Sequence, residues 1–241
     1  MTGKPMPPVS PSAELAPMIS AIQHALTAIA NPAQAVPMQA YMLNQFAFLG
    51  IRAEPRRKAV RAAWQPFARN GLSAHHLLAL AAQLWHLPER EFQYAAIDLL
   101  QWNCKKLSSL DLPALQLLVE TKSWWDTVDG LAGVVGDILV RQLPDESNVQ
   151  KIMDEWLTHP CIWVRRVAML HQLGWKNSTD ETRLFHYALT LANETDFFIR
   201  KAIGWALRDY ARTRLEAVRD FLKINQRTFS GLTLREAGKH L

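Results

Sequence analysis

At 241 residues the chain is long enough for one sizeable domain, or two small ones, with an ample core, and 49% hydrophobic content places it among globular proteins. Lys and Arg number 27 against 22 Asp and Glu, a mild surplus of +5 that permits a polyanionic partner without demanding one. Two cysteines, Cys104 and Cys161, suggest neither a disulfide framework nor a thiolate metal site, and buried free thiols are the expectation. No apolar run approaches the ~20 residues that span a bilayer. No secretory signal stands at the start, so a cytoplasmic location is expected.

Residues 1–12 are proline-rich and read as a disordered tail ahead of a single domain over 13–241. Strand signals are nearly absent, whereas apolar residues recur at three- and four-residue spacings in segment after segment. That periodicity predicts helices over 13–29, 33–48, 55–69, 73–85, 89–105, 111–120, 124–141, 146–157, 161–174, 180–192, 196–212, 215–224 and 232–240. Breaks such as Asn31-Pro32, Asn70-Gly71, His159-Pro160 and Ser230-Gly231 separate them.

Four aromatic anchors, Phe92, Trp125, Trp163 and Phe198, each open a helix at intervals of 33, 38 and 35 residues. A period in that range with two helices per repeat predicts an all-α fold of HEAT-like repeats. Such repeats stack into a curved α-solenoid, here with a concave basic groove. Four residues beyond the anchors stand Ala96, Asp129, Val167 and Ala202, so one carboxylate occupies a register that is otherwise apolar. Such a group costs desolvation unless something compensates it. Asp126 has a simpler reading: Ser123 and Asp126 have the spacing of a capping box.

Three residues past the last two anchors stand Arg166 and Lys201, and seven past the last stands Trp205. From Phe197 onward ten basic residues face four acidic ones, a local surplus of +6. Indoles interleaved with cations suit stacking on bases and contact with phosphates. The plainer alternatives stay open: a solvated basic face, tryptophans in the core, and Arg166 as a structural bridge to Asp129. Trp64, Trp85, Trp102, Trp156 and Trp175 are assigned to the core by default. No HExxH, Gly-rich phosphate loop, GxSxG or CxxC is present, so neither a metal nor a cofactor is expected.

The segments YMLNQFAFLGI, LWHLPEREFQYAAIDLL, VETKSWWDTVDGLAGVVGD, CIWVRRVAML and FFIRKAIGWALRDYA carry a resemblance. The chain resembles the bacterial AlkD-type DNA alkylation repair glycosylases, and SWWDTVDG is the most specific block. The resemblance implies that Asp129 is the catalytic carboxylate, with Trp125 and Trp205 lining the cleft and Arg166 holding the DNA backbone. It also implies that Tyr41 lies near DNA. Arg57, Lys201 and Arg208 are the further cations expected on DNA. The family's Thr-Pro after the Gly-Ile is replaced here by Ala53-Glu54-Pro55. The implied reaction is excision of cationic N7- and N3-alkylpurines from double-stranded DNA by a monomer without a cofactor. A non-catalytic DNA-binding relative and a protein-binding scaffold are the alternatives.

Overall fold

The computed structural model describes residues 14–68, 71–143 and 149–240. The proline-rich tail and the start of the helix expected over 146–157 lie outside the described residues. Among the described residues there are thirteen α-helices and no strand; one isolated bridge joins Ala47 and Glu89. The all-helical expectation holds. The chain forms two compact units, with the boundary between Leu107 and Ser108.

The first unit holds α1 (Ala16–Thr27), α2 (Pro32–Tyr41), α3 (Ala53–Ala68), α4 (Ala74–His86) and α5 (Arg90–Trp102). Helix α2 starts where Asn31 accepts from the Gln34 amide with Pro32 at the first helical position, and α4 starts where Ser73 caps His76. Helix α1 packs on α3 and α4, and α5 packs on α3 and α4. Ile22, Leu26, Val60, Leu80, Leu84 and Leu99 are all buried there.

The helix expected over 33–48 stops at Tyr41, and Leu43 and Asn44 adopt left-handed conformations with φ of 54° and 57°. Phe46, Phe48 and Leu49 keep the apolar spacing of a helix, but tertiary contacts hold their backbone open. The buried carboxylate of Glu91 accepts the amides of Leu49, Gly50 and Ile51 at 2.9, 2.8 and 3.0 Å. The Arg90 amide donates to the Ala47 carbonyl at 2.8 Å. Gly50 sits at φ +82°, where an added Cβ would lie 2.0 Å from the Asn31 carbonyl oxygen.

Helices α6 (Leu112–Glu120), α7 (Trp125–Gln142), α8 (Lys151–Trp156), α9 (Ile162–Leu170), α10 (Glu181–Thr190), α11 (Phe197–Ala211), α12 (Leu215–Ile224) and α13 (Gly231–Ala237) form the second unit. Helix α7 packs on α9, α9 on α11 and α11 on α13, which makes one row. Helices α6, α8, α10 and α12 flank it, each touching one or two members of the row. Two helices per period and stacked nearest neighbours are the repeat logic expected from the anchors. Trp163 and Phe198 bring the anchors into contact, with ring centroids 5.0 Å apart, and Trp124 joins them at 5.8 and 5.0 Å.

Two sequence readings are corrected here. Trp124, not Ser123, is the N-cap of α7, and the Ser123 hydroxyl donates instead to the Val119 carbonyl at 2.6 Å. The capping box is therefore not formed. Asp126 still lies in the first turn, where a helix dipole favours an acid. Trp64, Trp85, Trp156 and Trp175 are buried as expected, but Trp102 is only half-buried. The Arg61 guanidinium lies over the Trp102 ring, 4.6 Å from its centroid, so a cation takes the place of apolar neighbours.

Candidate active site

Asp129 lies one turn beyond Trp125 on α7, and its side chain remains 23% exposed. Across the row, Arg166 projects from α9 with only 1% of its side chain exposed. Its Nε and Nη2 donate to the two oxygens of Asp129 at 2.7 and 2.8 Å. The remaining terminal nitrogen, Nη1, donates to the Phe198 carbonyl at the start of α11. A guanidinium fork matches a carboxylate in this geometry, so both groups are fixed by each other. Each Asp129 oxygen still has acceptor capacity beyond the one bond it takes from Arg166.

Burial pushes the Asp129 carboxyl above its ordinary value, against the opposing pull of the Arg166 hydrogen bonds and charge. Neighbouring Asp126 adds a smaller push in the same direction as burial.

The guanidinium of Arg166 also lies 5.3 Å from the Trp205 ring of α11. Trp205 donates its Nε1–H to Glu236 of α13 at 3.1 Å. Glu236 in turn binds Lys201 at 2.9 Å, Arg208 at 3.4 Å and Lys239 at 2.9 Å. The ammonium of Lys201 stands 5.4 Å from the same Trp205 ring. These contacts link α7, α9, α11 and α13 from Asp129 to Lys239, with hydrogen bonds and ion pairs at either end and the Arg166–Trp205 ring contact between them. Hydrogen bonding from Lys239 heads the causes that draw the Glu236 carboxyl down to about 2, with Lys201 and Trp205 adding to it against burial.

Five of the sequence-predicted residues therefore meet: Asp129, Arg166, Trp205, Lys201 and Arg208. Trp125 is half-buried one turn before Asp129. Tyr41 and Arg57 belong to the first unit. Tyr41 is 70% exposed and borders a recess of about 250 Å³ with Pro37, Met38, Met42, Phe48 and Tyr94. The Arg57 side chain is 59% exposed, and its Nε donates to Asp98 at 3.0 Å, which also binds Arg56.

Glu236 escaped the sequence reading. The signal existed: 34 residues past Phe198 lies Leu232, and four further is Glu236, the same register as Asp129 after Trp125. Leu232 is not aromatic, so the series of aromatic anchors ends one repeat early. Among the described residues no group of three His, Cys, Asp or Glu could hold a metal ion. No helix among them is long and apolar enough to cross a membrane.

Stacked helical repeats carrying a partly accessible, arginine-held carboxylate beside an indole and several cations define the class of protein. The family model for DNA alkylation repair enzymes matches residues 22–241, and the chain belongs to that family. A predicted DNA alkylation repair enzyme from Enterococcus faecalis is 32% identical and superposes with a TM-score of 0.80. That match covers 88% of this chain and 96% of the other. AlkD2 from Streptococcus mutans shares the fold at 19% identity and TM-score 0.56, covering 73% of this chain and 86% of its own. The smu.31 protein from Streptococcus mutans UA159 shares it at 16% identity and TM-score 0.59, covering 93% and 99%. No curated protein matches the chain.

Proposed function

We propose that the protein is a DNA glycosylase that hydrolyses the N-glycosidic bond of cationic N7- and N3-alkylpurines in duplex DNA, opening base excision repair. The observation that carries this reading is the carboxylate of Asp129, held bidentately by buried Arg166 while part of it still faces solvent. An alkylpurine already carries a positive charge. When its bond to C1′ breaks, the electron pair goes to the base and neutralises it, so no general acid is required. Positive charge then grows on C1′ and the ring oxygen of the sugar, and water adds to C1′ with loss of a proton.

A fixed anion beside that sugar lowers the barrier because it stabilises charge that exists only near the transition state. Asp129 supplies the anion, and its remaining acceptor sites can hold the attacking water. Arg166 is the positioning residue in this scheme, since it is buried and each of its nitrogens donates to Asp129 or to the Phe198 carbonyl. The indoles of Trp125 and Trp205 add cation–π attraction to the charged base and sugar, about 1–2 kcal/mol each when water is excluded. Lys201, Arg208, Arg57 and Tyr41 are the contacts proposed for the DNA backbone. The protein acts as a monomer in the cytoplasm, without a cofactor.

The test is release of 7-methylguanine from methylated duplex DNA under single-turnover conditions. Asp129→Asn is expected to lower the rate by about 10²–10³-fold while binding to the duplex persists. Release at the wild-type rate by that variant overturns the assignment.

A further inference from the structure

A buried acid among four donors is an odd neighbour for residues meant to meet DNA, because it opposes their charge. Glu236 has only 8% of its side chain exposed and yet accepts from Lys201, Trp205, Arg208 and Lys239. The helix that carries it is held unusually close. A Cβ added at Gly204 of α11 would stand 2.5 Å from the Glu236 Cβ and 3.0 Å from the Thr233 carbonyl oxygen. Thr233 also donates its hydroxyl to the Arg200 carbonyl at 3.2 Å, and Ser230 caps the first turn. Gly204 stands directly before Trp205, so the close approach delivers the carboxylate to the edge of that indole.

We infer that Glu236 is the positioning residue for the Trp205 side of the active site: it fixes the indole by its N–H and holds Lys201 and Arg208 beside it. The inference rests on the glycosylase reading for its effect on rate, but not for its effect on the indole. Trp205 is gripped twice, with Arg166 and Lys201 within 5.3 and 5.4 Å of its ring and Glu236 on its N–H. One negative charge against the three cations leaves a local surplus of +2. Removing Glu236 therefore has two opposite consequences. The indole loses its anchor, which slows chemistry that depends on placement, and the patch gains net positive charge, which strengthens attraction to any duplex.

The experiment compares wild type, Glu236→Gln, Glu236→Ala and Trp205→Phe. It reads single-turnover base release, the affinity for unmodified duplex DNA across a salt series, and the indole N–H signals in NMR, with that of Trp205 assigned by its loss in Trp205→Phe. Glu236→Ala should lower base release by about 10²-fold, in line with a displacement of about 1 Å at a reacting centre. The same variant should bind duplex more tightly at low salt. Glu236→Gln keeps a carbonyl for the indole and should recover most of the rate, yet share the tighter binding. The Trp205 N–H signal should move in Glu236→Ala and stay near its place in Glu236→Gln. Unchanged release by Glu236→Ala, or an equal loss of release and binding, overturns the inference. Should the wild type itself release no base, the glycosylase reading fails. The positioning of Trp205 is then decided by the NMR signal alone, and an unmoved signal in Glu236→Ala overturns it.

Discussion

Asp129 and Glu236 occupy the same register of their repeats, four residues past Trp125 and four past Leu232, and have opposite surroundings. Asp129 faces one guanidinium, and burial lifts its carboxyl above the ordinary value. Glu236 is surrounded by cations and an indole N–H, and its carboxyl falls to about 2. A repeat fold thus offers one backbone position several times, and the donors on the next helix decide what an acid there becomes. A carboxylate with acceptor capacity to spare is equipped for chemistry. One saturated with donors is equipped to hold other groups in place.

The largest expected break in this comparison lies in the partners. Arg166→Met leaves Asp129 without its fork and should lower the unfolding free energy by about 3–5 kcal/mol, as measured by urea denaturation. Lys201→Met removes one of four donors from Glu236 and should lower it by less, because Trp205, Arg208 and Lys239 still satisfy the carboxylate. Equal losses would mean that the two sites are energetically alike.

Next in size is Gly204→Ala, which forces α13 away from α11 and should cost about 1–3 kcal/mol in the same measurement. Glu236 then retreats from Trp205, so base release should fall along with stability.

Acid separates the two carboxylates by sign. Glu236 has a folded value near 2 against an ordinary 4.5, so its stabilisation is complete above 4.5 and is lost as pH falls toward 2. Asp129 is raised, so protonation relieves a penalty instead of removing a gain. Between pH 4.5 and 2, Glu236→Gln should flatten the fall in thermal midpoint, whereas Asp129→Asn should not. The raised value also predicts that base release declines on the acid side, with a midpoint above the usual aspartate range.

The smallest effect belongs to the first unit. Arg57→Gln should reduce the slope of log affinity for DNA against log salt by about 0.9, the share of one phosphate contact, with little sequence preference. An unchanged slope would remove Arg57 from the interface.

Helices and their order were legible because three- and four-residue apolar spacing survives in nearly every segment, and the structure follows it from α3 onward with short adjustments at the ends. The region after Tyr41 was not, since Phe46, Phe48 and Leu49 imitate a helical face while Glu91, some forty residues later, dictates an open backbone. Asp129 was legible as a break in an apolar register. Glu236 was not, because its repeat lacks the aromatic anchor that marks the others. The pairing of Arg166 with Asp129 stood in the sequence only as one of two options, since spacing places both residues on facing helices without saying which donor turns to which acceptor.

Glu91 has one more consequence. Three successive amides converging on a carboxylate form a concave nest of the kind that holds phosphate elsewhere. Here it is filled from within the chain. Leu49, Gly50 and Ile51 therefore have no amide left to offer a DNA backbone. Deuterium should reach these three amides as slowly as it reaches those of an interior helix, although no helix contains them.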